Sequence, residues 1–180
     1  MKINSLAVFC GAKIGNNSIY GQHASELGEI LARNNINLIY GGGNKGIMGS
    51  IADAVMKHGG SVTGIIPGLL LEWEVQHKGI TDLIIVEDMH IRKKKIYELC
   101  DAALVLPGGF GTLDELFEML TWNQLSIHNK QIFILNSDGF YDHLIQHIYR
   151  LEENNFLYEP VEKRIAVLKN PKDLLSFISS

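Results

Sequence analysis

Two glycine-rich segments contain the residues best able to bind an anion and act on the molecule that carries it. The second segment reads Pro107-Gly108-Gly109-Phe110-Gly111-Thr112 and is followed by Asp114 and Glu115. An apolar stretch precedes it and a helical pattern follows it, so backbone N–H groups and the positive end of a helix dipole would face a ligand. This pattern predicts a phosphate site in which Thr112 donates its hydroxyl.

The carboxylate of Glu115 has two interpretations that spacing alone leaves open. Thr112 and Glu115 have the spacing of a capping box, in which the carboxylate only satisfies backbone groups at the start of a helix. The alternative is a functional acid beside the bound ligand. Glu118 lies one turn later on the same helix face, and for it we favour a carboxylate in solvent or at the edge of the core.

The first glycine-rich segment reads Gly41-Gly42-Gly43-Asn44-Lys45-Gly46-Ile47-Met48-Gly49. Its glycine spacing matches the dinucleotide-binding fingerprint, but that site also requires an acidic residue about 20 positions later, and residues 60–66 contain none. No GK[ST] follows, which excludes a P-loop. A tight turn between a strand and a helix is one interpretation. Close approach of the backbone to a ligand is the interpretation we favour, with Met48 as a candidate for the wall of a base pocket.

Three further groups of residues could bind nucleic acid, bind a metal or act as a nucleophile, and none of these three roles is favoured. The run Arg92-Lys93-Lys94-Lys95 turns by about 100° per residue on a helix, so one or two cations face a ligand and no nucleic-acid surface is expected. His143 and His147 have helical spacing but lack a third ligand, so no metal is expected. Cys10 has no identifiable base and is expected to be a small packed side chain.

Short apolar segments alternate with segments of helical period along the whole chain. We expect one doubly wound, Rossmann-like α/β domain over residues 1–180, with a parallel sheet and helices on both faces, because several strands are uniformly apolar. Open parallel sheets bind ligands beyond the carboxyl ends of their strands, and three strands end at glycine-rich segments. The predicted strands are 6–10, 37–40, 61–66, 83–86, 102–106, 131–135 and 165–168, and the predicted helices are 18–33, 46–57, 90–99, 112–125, 140–152 and 174–178.

Composition narrows the class and the compartment. A net charge of −4 over 180 residues argues against a general nucleic-acid binder. Two cysteines without a disulfide framework are typical of a reducing cytosol. No secretory signal and no apolar run of about 18 residues is visible. We therefore expect a cytoplasmic protein without a membrane partner.

The two glycine-rich segments also resemble those of the LOG ("lonely guy") family, the cytokinin riboside 5′-monophosphate phosphoribohydrolases, which older annotation calls lysine decarboxylases. Residues 107–115 match the family pattern PGGxGTxxE, and residues 41–49 match GGGxxGxMG. A third similarity is Met89-His90-Ile91-Arg92-Lys93, where members commonly have a polar or acidic residue in place of Ile91. The resemblance extends from Val8 to Tyr141 and includes residues 120–125.

The resemblance implies hydrolysis of the N-glycosidic bond of AMP or N6-prenylated AMP, with the free base and ribose 5-phosphate as products. Arg92 and Glu115 match the catalytic pair of the family, and no metal or cofactor is required. It also implies a homodimer or a higher homo-oligomer, with Glu74, Arg92 and Thr121 as candidates for serving a neighbouring subunit's site. The implied substrate contacts are Glu74, Arg92, Lys93, Gly109, Phe110, Gly111, Thr112, Leu113, Asp114, Glu115 and Thr121, and the possible additional ones are Gly43, Gly46, Met48 and Gly108.

Two other functions compete with this hydrolase. One is a purine-nucleotide-binding module without catalysis, against which the joint presence of Arg92 and Glu115 argues. The other is a pyridoxal-phosphate decarboxylase, as the older family label suggests. The chain has no recognisable context for a Schiff-base lysine, which disfavours the decarboxylase.

Overall fold

The computed structural model describes residues 2–70 and 76–178, and these residues form one seven-stranded, fully parallel sheet. The strands are β1 (Ser5–Phe9), β2 (Asn37–Tyr40), β3 (Val62–Pro67), β4 (Asp82–Val86), β5 (Ala102–Val105), β6 (Ile132–Leu135) and β7 (Ile165–Leu168). The strand order is β4-β3-β2-β1-β5-β6-β7, which confirms the predicted doubly wound α/β class.

The strand order reverses between β1 and β5. From β1 the chain builds the sheet outward to β4, and it then returns to the other side of β1 with β5. At this switch point the loops after two neighbouring strands diverge to opposite faces of the sheet and leave a crevice beyond their carboxyl ends. The loops after β1 and β5 are joined there, because the Gly11 N–H donates to the Pro107 carbonyl at 3.0 Å.

Five helices connect strands in the described residues, and a sixth follows the last strand. The helices are α1 (Ser18–Arg33), α2 (Gly46–Lys57), α3 (Met89–Leu99), α4 (Phe110–Gln124), α5 (Asp142–Glu153) and α6 (Leu175–Ile178). Polar caps fix the starts of two of them, since the Asn17 side chain accepts the Ile19 N–H before α1 and the Asp88 side chain accepts the Ile91 N–H before α3.

The two faces of the sheet bury separate hydrophobic clusters. Alternate residues of β1 point to opposite faces, so Leu6 and Val8 pack with α1 and α2 while Ala7 and Phe9 pack on the side of α3, α4 and α5. Because both faces are covered, the central strands carry no polar face, and this explains their uniformly apolar sequences.

Several predicted boundaries move by one or two residues, and two of the shifts have clear causes. The helix predicted over 140–152 begins at Asp142, because Asp138 and Gly139 adopt φ values of 52° and 70° in the turn that precedes it. The helix predicted over 112–125 begins at Phe110, where the extended backbone of Gly109 ends the loop. The earlier start of α4 alters the interpretation of Thr112 and Glu115 at the candidate site.

No helix in the described parts of the chain is both long enough and apolar enough to cross a membrane.

Candidate active site

A cavity of about 290 Å³ opens at the switch point of the sheet, beyond the carboxyl ends of β1 and β2. It lies where the ligand site of an open parallel sheet is expected. Its walls come from the first and second strand ends and from the N-terminal parts of three helices: Val8, Cys10, Gly11, Ala12, Gly41, Met48, Met89, Arg92, Gly109, Gly111, Thr112, Asp114 and Glu115.

The N-terminus of α4 forms one wall of this cavity. Apart from the adjacent residues and the backbone of the helix itself, no heavy atom of the described residues lies within 4 Å of the position that a Cβ would take on Gly109 or Gly111. Neither glycine has a positive φ, so the backbone conformation does not require glycine at these positions. The missing side chains therefore leave open space above the first backbone N–H groups of a helix, which is a favourable place for an anion.

The capping-box interpretation of Glu115 is wrong. Thr112 is the third residue of α4, and the N-cap position belongs to Gly109, which has no side chain to cap the helix. Thr112 is buried beside the cavity, and Glu115 is half-buried and lines the same cavity. The threonine and the glutamate are thus wall residues of the site rather than a reciprocal cap.

Arg92 faces Glu115's helix from the first turns of α3 and is only 6% exposed. Its Nη2 donates to the Gly41 carbonyl at 3.2 Å, and its Nη1 lies 3.6 Å from the Met89 sulfur. Its Nε is buried and has no hydrogen-bond partner among the described residues. A buried cation with an unused donor is costly, so the guanidinium is well suited to an anionic ligand in the cavity.

Cys10 lines the same cavity, close enough to Glu115 and Arg92 for their charges to act on its thiol. Burial raises the pKa of its thiol far above the ordinary value, the Glu115 carboxylate raises it further, and the Arg92 guanidinium lowers it. A thiol with so high a pKa stays protonated and is a poor nucleophile. This agrees with the expected role of Cys10 as a small packed side chain.

The first glycine-rich segment packs against Arg92 and other residues more than it leaves open space for a ligand. A Cβ on Gly41 would overlap Arg92 Nη2, and Gly46 has a φ of 61° where a Cβ would overlap the backbone of Ala12. Gly43 forms an isolated bridge with Gln76. Close packing thus accounts for Gly41 and Gly46, and of this segment Gly41 and Met48 line the cavity.

Comparison with known proteins identifies the family. Residues 48–178 match the family model described as "possible lysine decarboxylase". A cytokinin riboside 5′-monophosphate phosphoribohydrolase from Rhodococcoides fascians is 40% identical over 177 residues, which cover 98% of this chain and 89% of the relative. One from Arabidopsis thaliana is 40% identical over 177 residues, covering 98% and 83%. The chain belongs to the LOG family.

Solved structures extend the LOG comparison at the level of the fold. A molybdenum cofactor binding protein from Rippkaea orientalis superposes with a TM-score of 0.74 at 20% identity, covering 99% of this chain and 97% of the other. A molybdenum cofactor carrier protein from Chlamydomonas reinhardtii gives 0.75 at 17% identity, covering 99% and 96%. These neighbours share the Rossmann-like α/β architecture.

Some of the contacts implied by the LOG motifs converge on the cavity. Arg92 and Glu115 lie there together with Met48 and with part of the second glycine-rich segment, namely Gly109, Gly111, Thr112 and Asp114.

Other implied contacts lie elsewhere in the described chain. Phe110 is 94% exposed, and Leu113 is half-buried against the core. Thr121 is exposed, donates to the Phe117 carbonyl at 2.7 Å and lines a separate groove. Lys93 forms ion pairs with carboxylates of α4. Gly43, Gly46 and Gly108 are outside the cavity lining, and Glu74 falls outside the described residues.

Sequence reasoning missed several residues that line the cavity at the switch point. Met89 lies one helical turn before Arg92, and that spacing within a recognised motif was an available signal. Gly11 and Ala12 follow the first strand, where the carboxyl-edge rule already predicted a loop near the ligand. Nothing in the sequence separated Val8 from the other apolar residues of β1.

The remaining candidate clusters lie partly at the cavity and partly on exposed helix faces. Of the cationic run, Arg92 is buried in the cavity while Lys94 is exposed to solvent and pairs with Glu98 at 3.9 Å. His143 and His147 are exposed on α5. Among the described residues no cluster of three or more histidine, cysteine or acidic side chains could hold a metal ion.

Proposed function

We propose that this LOG-family protein hydrolyses the N-glycosidic bond of a purine nucleoside 5′-monophosphate, AMP or N6-prenyl-AMP, to the free base and ribose 5-phosphate. The observation that carries the proposal is that Arg92 and Glu115, contributed by two different helices, line one cavity with the open N-terminus of α4. The printed activity of relatives that are 40% identical over nearly the whole chain supports the same reaction.

The 5′-phosphate binds at the start of α4. The open space over Gly109 and Gly111 lets phosphate oxygens approach the backbone N–H groups, and the helix dipole favours their negative charge. Thr112, buried at the cavity wall, donates its hydroxyl. Anchoring of the phosphate in this way holds the ribose C1′ at a fixed place relative to Arg92 and Glu115.

The charges in the cavity suit the chemistry of the bond that breaks. Cleavage develops positive charge on C1′ and the ring oxygen, as in glycoside hydrolysis, and the Glu115 carboxylate beside the ribose stabilises that charge. Arg92 pairs through its planar fork with an oxyanion of the substrate. Water supplies a hydroxyl to C1′ and a proton to the departing base, so the balance needs no other reactant, metal or cofactor.

The apolar part of the cavity suits a purine. Met48 and Met89 line it together with Val8, and methionine side chains adapt their shape to flat aromatic partners. The protonated Cys10 thiol adds a small, weakly polar surface at the floor. We assign this part of the cavity to the base.

We further propose a homodimer in which Thr121 serves the site of the neighbouring chain. The family motif implies that Thr121 contacts substrate, yet within its own chain it lies on the exposed side of α4, outside the cavity lining. Exposed apolar side chains surround it, including Phe117, Leu125 and Tyr158. A second copy packed on this surface accounts for both observations.

The state of the two cysteines and the net charge support a proposal for the compartment and the partners. Cys10 and Cys100 are unpaired and buried, and burial raises the pKa of Cys100 to about 11, which is compatible with a reducing compartment. We therefore propose a cytoplasmic enzyme. The net charge of −4 supports a small anionic substrate held in a built site rather than a nucleic-acid partner.

Product analysis tests the proposed reaction. The purified protein is incubated separately with AMP and with isopentenyl-AMP, and base, nucleotide and ribose 5-phosphate are separated by chromatography. We expect free base and ribose 5-phosphate in equal amounts from at least one substrate. Saturable AMP binding without any free base, at high enzyme concentration, would instead establish the non-catalytic nucleotide-binding module.

A further inference from the structure

Glu118 is held by two side chains of another helix. It lies on α4, one turn after Glu115, and its Oε2 accepts a hydrogen bond from the Tyr97 hydroxyl at 2.7 Å. The same oxygen is 3.0 Å from Lys93 Nζ. Both partners belong to α3, the helix that carries Arg92. This carboxylate therefore links the helices that supply the catalytic pair. Its side chain is 24% exposed, so it lies at the edge of the core, as expected, but it is held by partners rather than free in solvent.

Lys93 completes a second contact between the same helices. Its amine lies 3.2 Å from Asp114 Oδ2, and its side chain is only 12% exposed. Burial lowers the pKa of Lys93, but hydrogen bonds and charge attraction from Glu118 and Asp114 outweigh burial and raise it overall. The amine is therefore a stable cation between two carboxylates.

Tyr97 connects this cluster to the sheet. Its ring packs edge-on against Phe9 of β1, with centroids 6.3 Å apart, and against Trp122 of α4, with centroids 4.7 Å apart. Burial raises the pKa of its hydroxyl, and the hydrogen bond to Glu118 raises it further. The hydroxyl thus stays protonated and donates from a ring that is fixed on two sides.

The position of the cluster relative to the cavity gives it a function. Lys93 directly follows Arg92 in the chain, Asp114 directly precedes Glu115, and Glu118 lies one helical turn beyond Glu115. Each catalytic side chain is thus next to a residue of the cluster on its own helix. A shift of α3 against α4 would break the cluster and separate Arg92 from Glu115.

We propose that Glu118 is a positioning residue, which holds Arg92 and Glu115 at their working separation by binding Lys93 and Tyr97. The inference rests on the proposed hydrolase function and goes beyond it, because it assigns Lys93 to the clamp between helices rather than to the phosphate. Catalysis needs such clamps, since a misplacement of about 1 Å can cost about 100-fold in rate.

Kinetics of a small set of variants on AMP test the clamp. Glu118→Gln keeps an acceptor for Tyr97 but removes the charge that Lys93 pairs with, and we expect kcat to fall about 10- to 100-fold. The expected change in KM is within about threefold, because phosphate binding at the start of α4 is untouched. Tyr97→Phe, which removes one hydroxyl, should lower kcat in the same direction and serves as the second variant if Glu118→Gln folds poorly.

The double variant separates a clamp from a phosphate contact. If Lys93 works through Glu118, Lys93→Met in the Glu118→Gln background adds little further loss, since the two residues act as one unit. A phosphate contact would instead raise KM independently of Glu118. The matched control is Glu98→Gln on α3, whose carboxylate pairs at 3.9 and 4.0 Å with Lys94 and Lys95 on the outer side, and it should keep wild-type kinetics.

The outcomes distinguish this inference from the proposed function. Wild-type protein that hydrolyses AMP, together with a Glu118→Gln variant of unchanged kcat, overturns the clamp alone. An additive double variant whose losses lie in KM likewise overturns it. Wild-type protein without any hydrolysis overturns the proposed function and the clamp with it. A loss of kcat in Glu118→Gln and Tyr97→Phe, with Glu98→Gln unaffected, supports both.

Discussion

Arg92 and Lys93 are neighbours in the chain, but the helix turns their side chains toward different partners. Arg92 lines the cavity and donates to the Gly41 carbonyl, while the Lys93 amine lies against Asp114 and Glu118 of α4. The difference is the turn of about 100° per helical residue. At the scale of single residues, the motif therefore contains one cation at the cavity and one between two helices, and Glu115 lines the same cavity as Arg92.

At the scale of residues, Glu115→Gln tests whether the Glu115 carboxylate takes part in the reaction. The amide has nearly the same shape as the carboxylate but cannot stabilise a developing cation or accept a proton. We expect kcat for AMP to fall by about 100- to 10,000-fold, the range typical of a lost catalytic carboxylate. The KM for AMP, measured on the residual activity of the variant, should stay within about threefold of the wild-type value.

Glu153→Gln, on the exposed surface of α5, is the matched control and should leave turnover unchanged. Wild-type turnover in Glu115→Gln would show that the carboxylate takes no part in the reaction. Loss of AMP binding together with turnover would assign it to substrate binding alone.

At the scale of elements, the start of α4 shows how a helix terminus forms an open cavity wall that suits an anion. The helix begins two residues earlier than the sequence predicts, so Gly111 lies within its first turn with open space where a side chain would be. Helices ordinarily favour alanine over glycine. A glycine that neither the backbone nor the packing requires is best explained by the room it leaves for the ligand.

Gly111→Ala separates the needs of the fold from those of the site. Beyond the adjacent residues and the helix backbone, the added methyl group meets no heavy atom of the described residues within 4 Å, so we expect the free energy of unfolding to stay equal or to rise by up to about 1 kcal/mol. The same methyl group enters the space proposed for the phosphate, so KM for AMP should rise at least about tenfold, equivalent to about 1.4 kcal/mol. Thermal unfolding and steady-state kinetics measure the two effects.

Gly68→Ala provides the control for this substitution. Among the described residues, a Cβ at Gly68 would approach only the Val86 carbonyl, at 4.0 Å, and Gly68 is outside the cavity lining, so AMP kinetics should not change. An unchanged KM in Gly111→Ala would remove the start of α4 from the phosphate site.

At the scale of the whole molecule, the parallel sheet collects residues that are far apart in the chain. Cys10, Gly41 and Gly109 meet because the ends of β1, β2 and β5 lie at one edge of the sheet. Thr121 is not among the collected residues, since it lies on the outer side of α4 beside a second groove of about 450 Å³. A site shared between two copies of the chain reconciles its exposed position with the family motif.

Complementation between two impaired variants tests the shared site. Thr121→Val and Glu115→Gln are each expected to have low activity as homodimers. If Thr121 serves the neighbouring cavity, a mixed dimer contains one site with both Glu115 and Thr121 intact, and activity reappears when the two variants are dissociated and reassembled together. Light scattering after size exclusion verifies the dimer.

A Glu115→Gln and Glu118→Gln mixture is the control, because both substitutions affect the cavity of their own chain through α4. Reassembly of that mixture restores a site only if Glu118 acts across the dimer, contrary to its contacts with Lys93 and Tyr97. A strictly monomeric protein with wild-type turnover would disprove the dimer, and a mixture of Thr121→Val and Glu115→Gln that stays inactive would place Thr121 outside the neighbouring site.

The sequence by itself determined the elements and their order. Uniformly apolar segments predicted the parallel strands, helical periodicity predicted Ser18–Arg33 and Gly46–Lys57 as the structure has them, and the carboxyl-edge rule located the site near the two glycine-rich segments. These properties are local, or they follow from a general rule of sheet topology. The pairing of Arg92 with Glu115 came from the family resemblance, because spacing alone left Glu115 open between a cap and an acid.

Only the tertiary structure decided which way individual side chains point. The N-cap position of Gly109 excluded the capping box. The close approach of Ala12 explained why position 46 is a glycine. The placement of two helices brought Lys93 and Glu118 into contact. Such contacts depend on where a helix begins and on how two helices are placed against one sheet. A shift of a single residue rotates a side chain by about 100°, which is finer than sequence patterns can resolve.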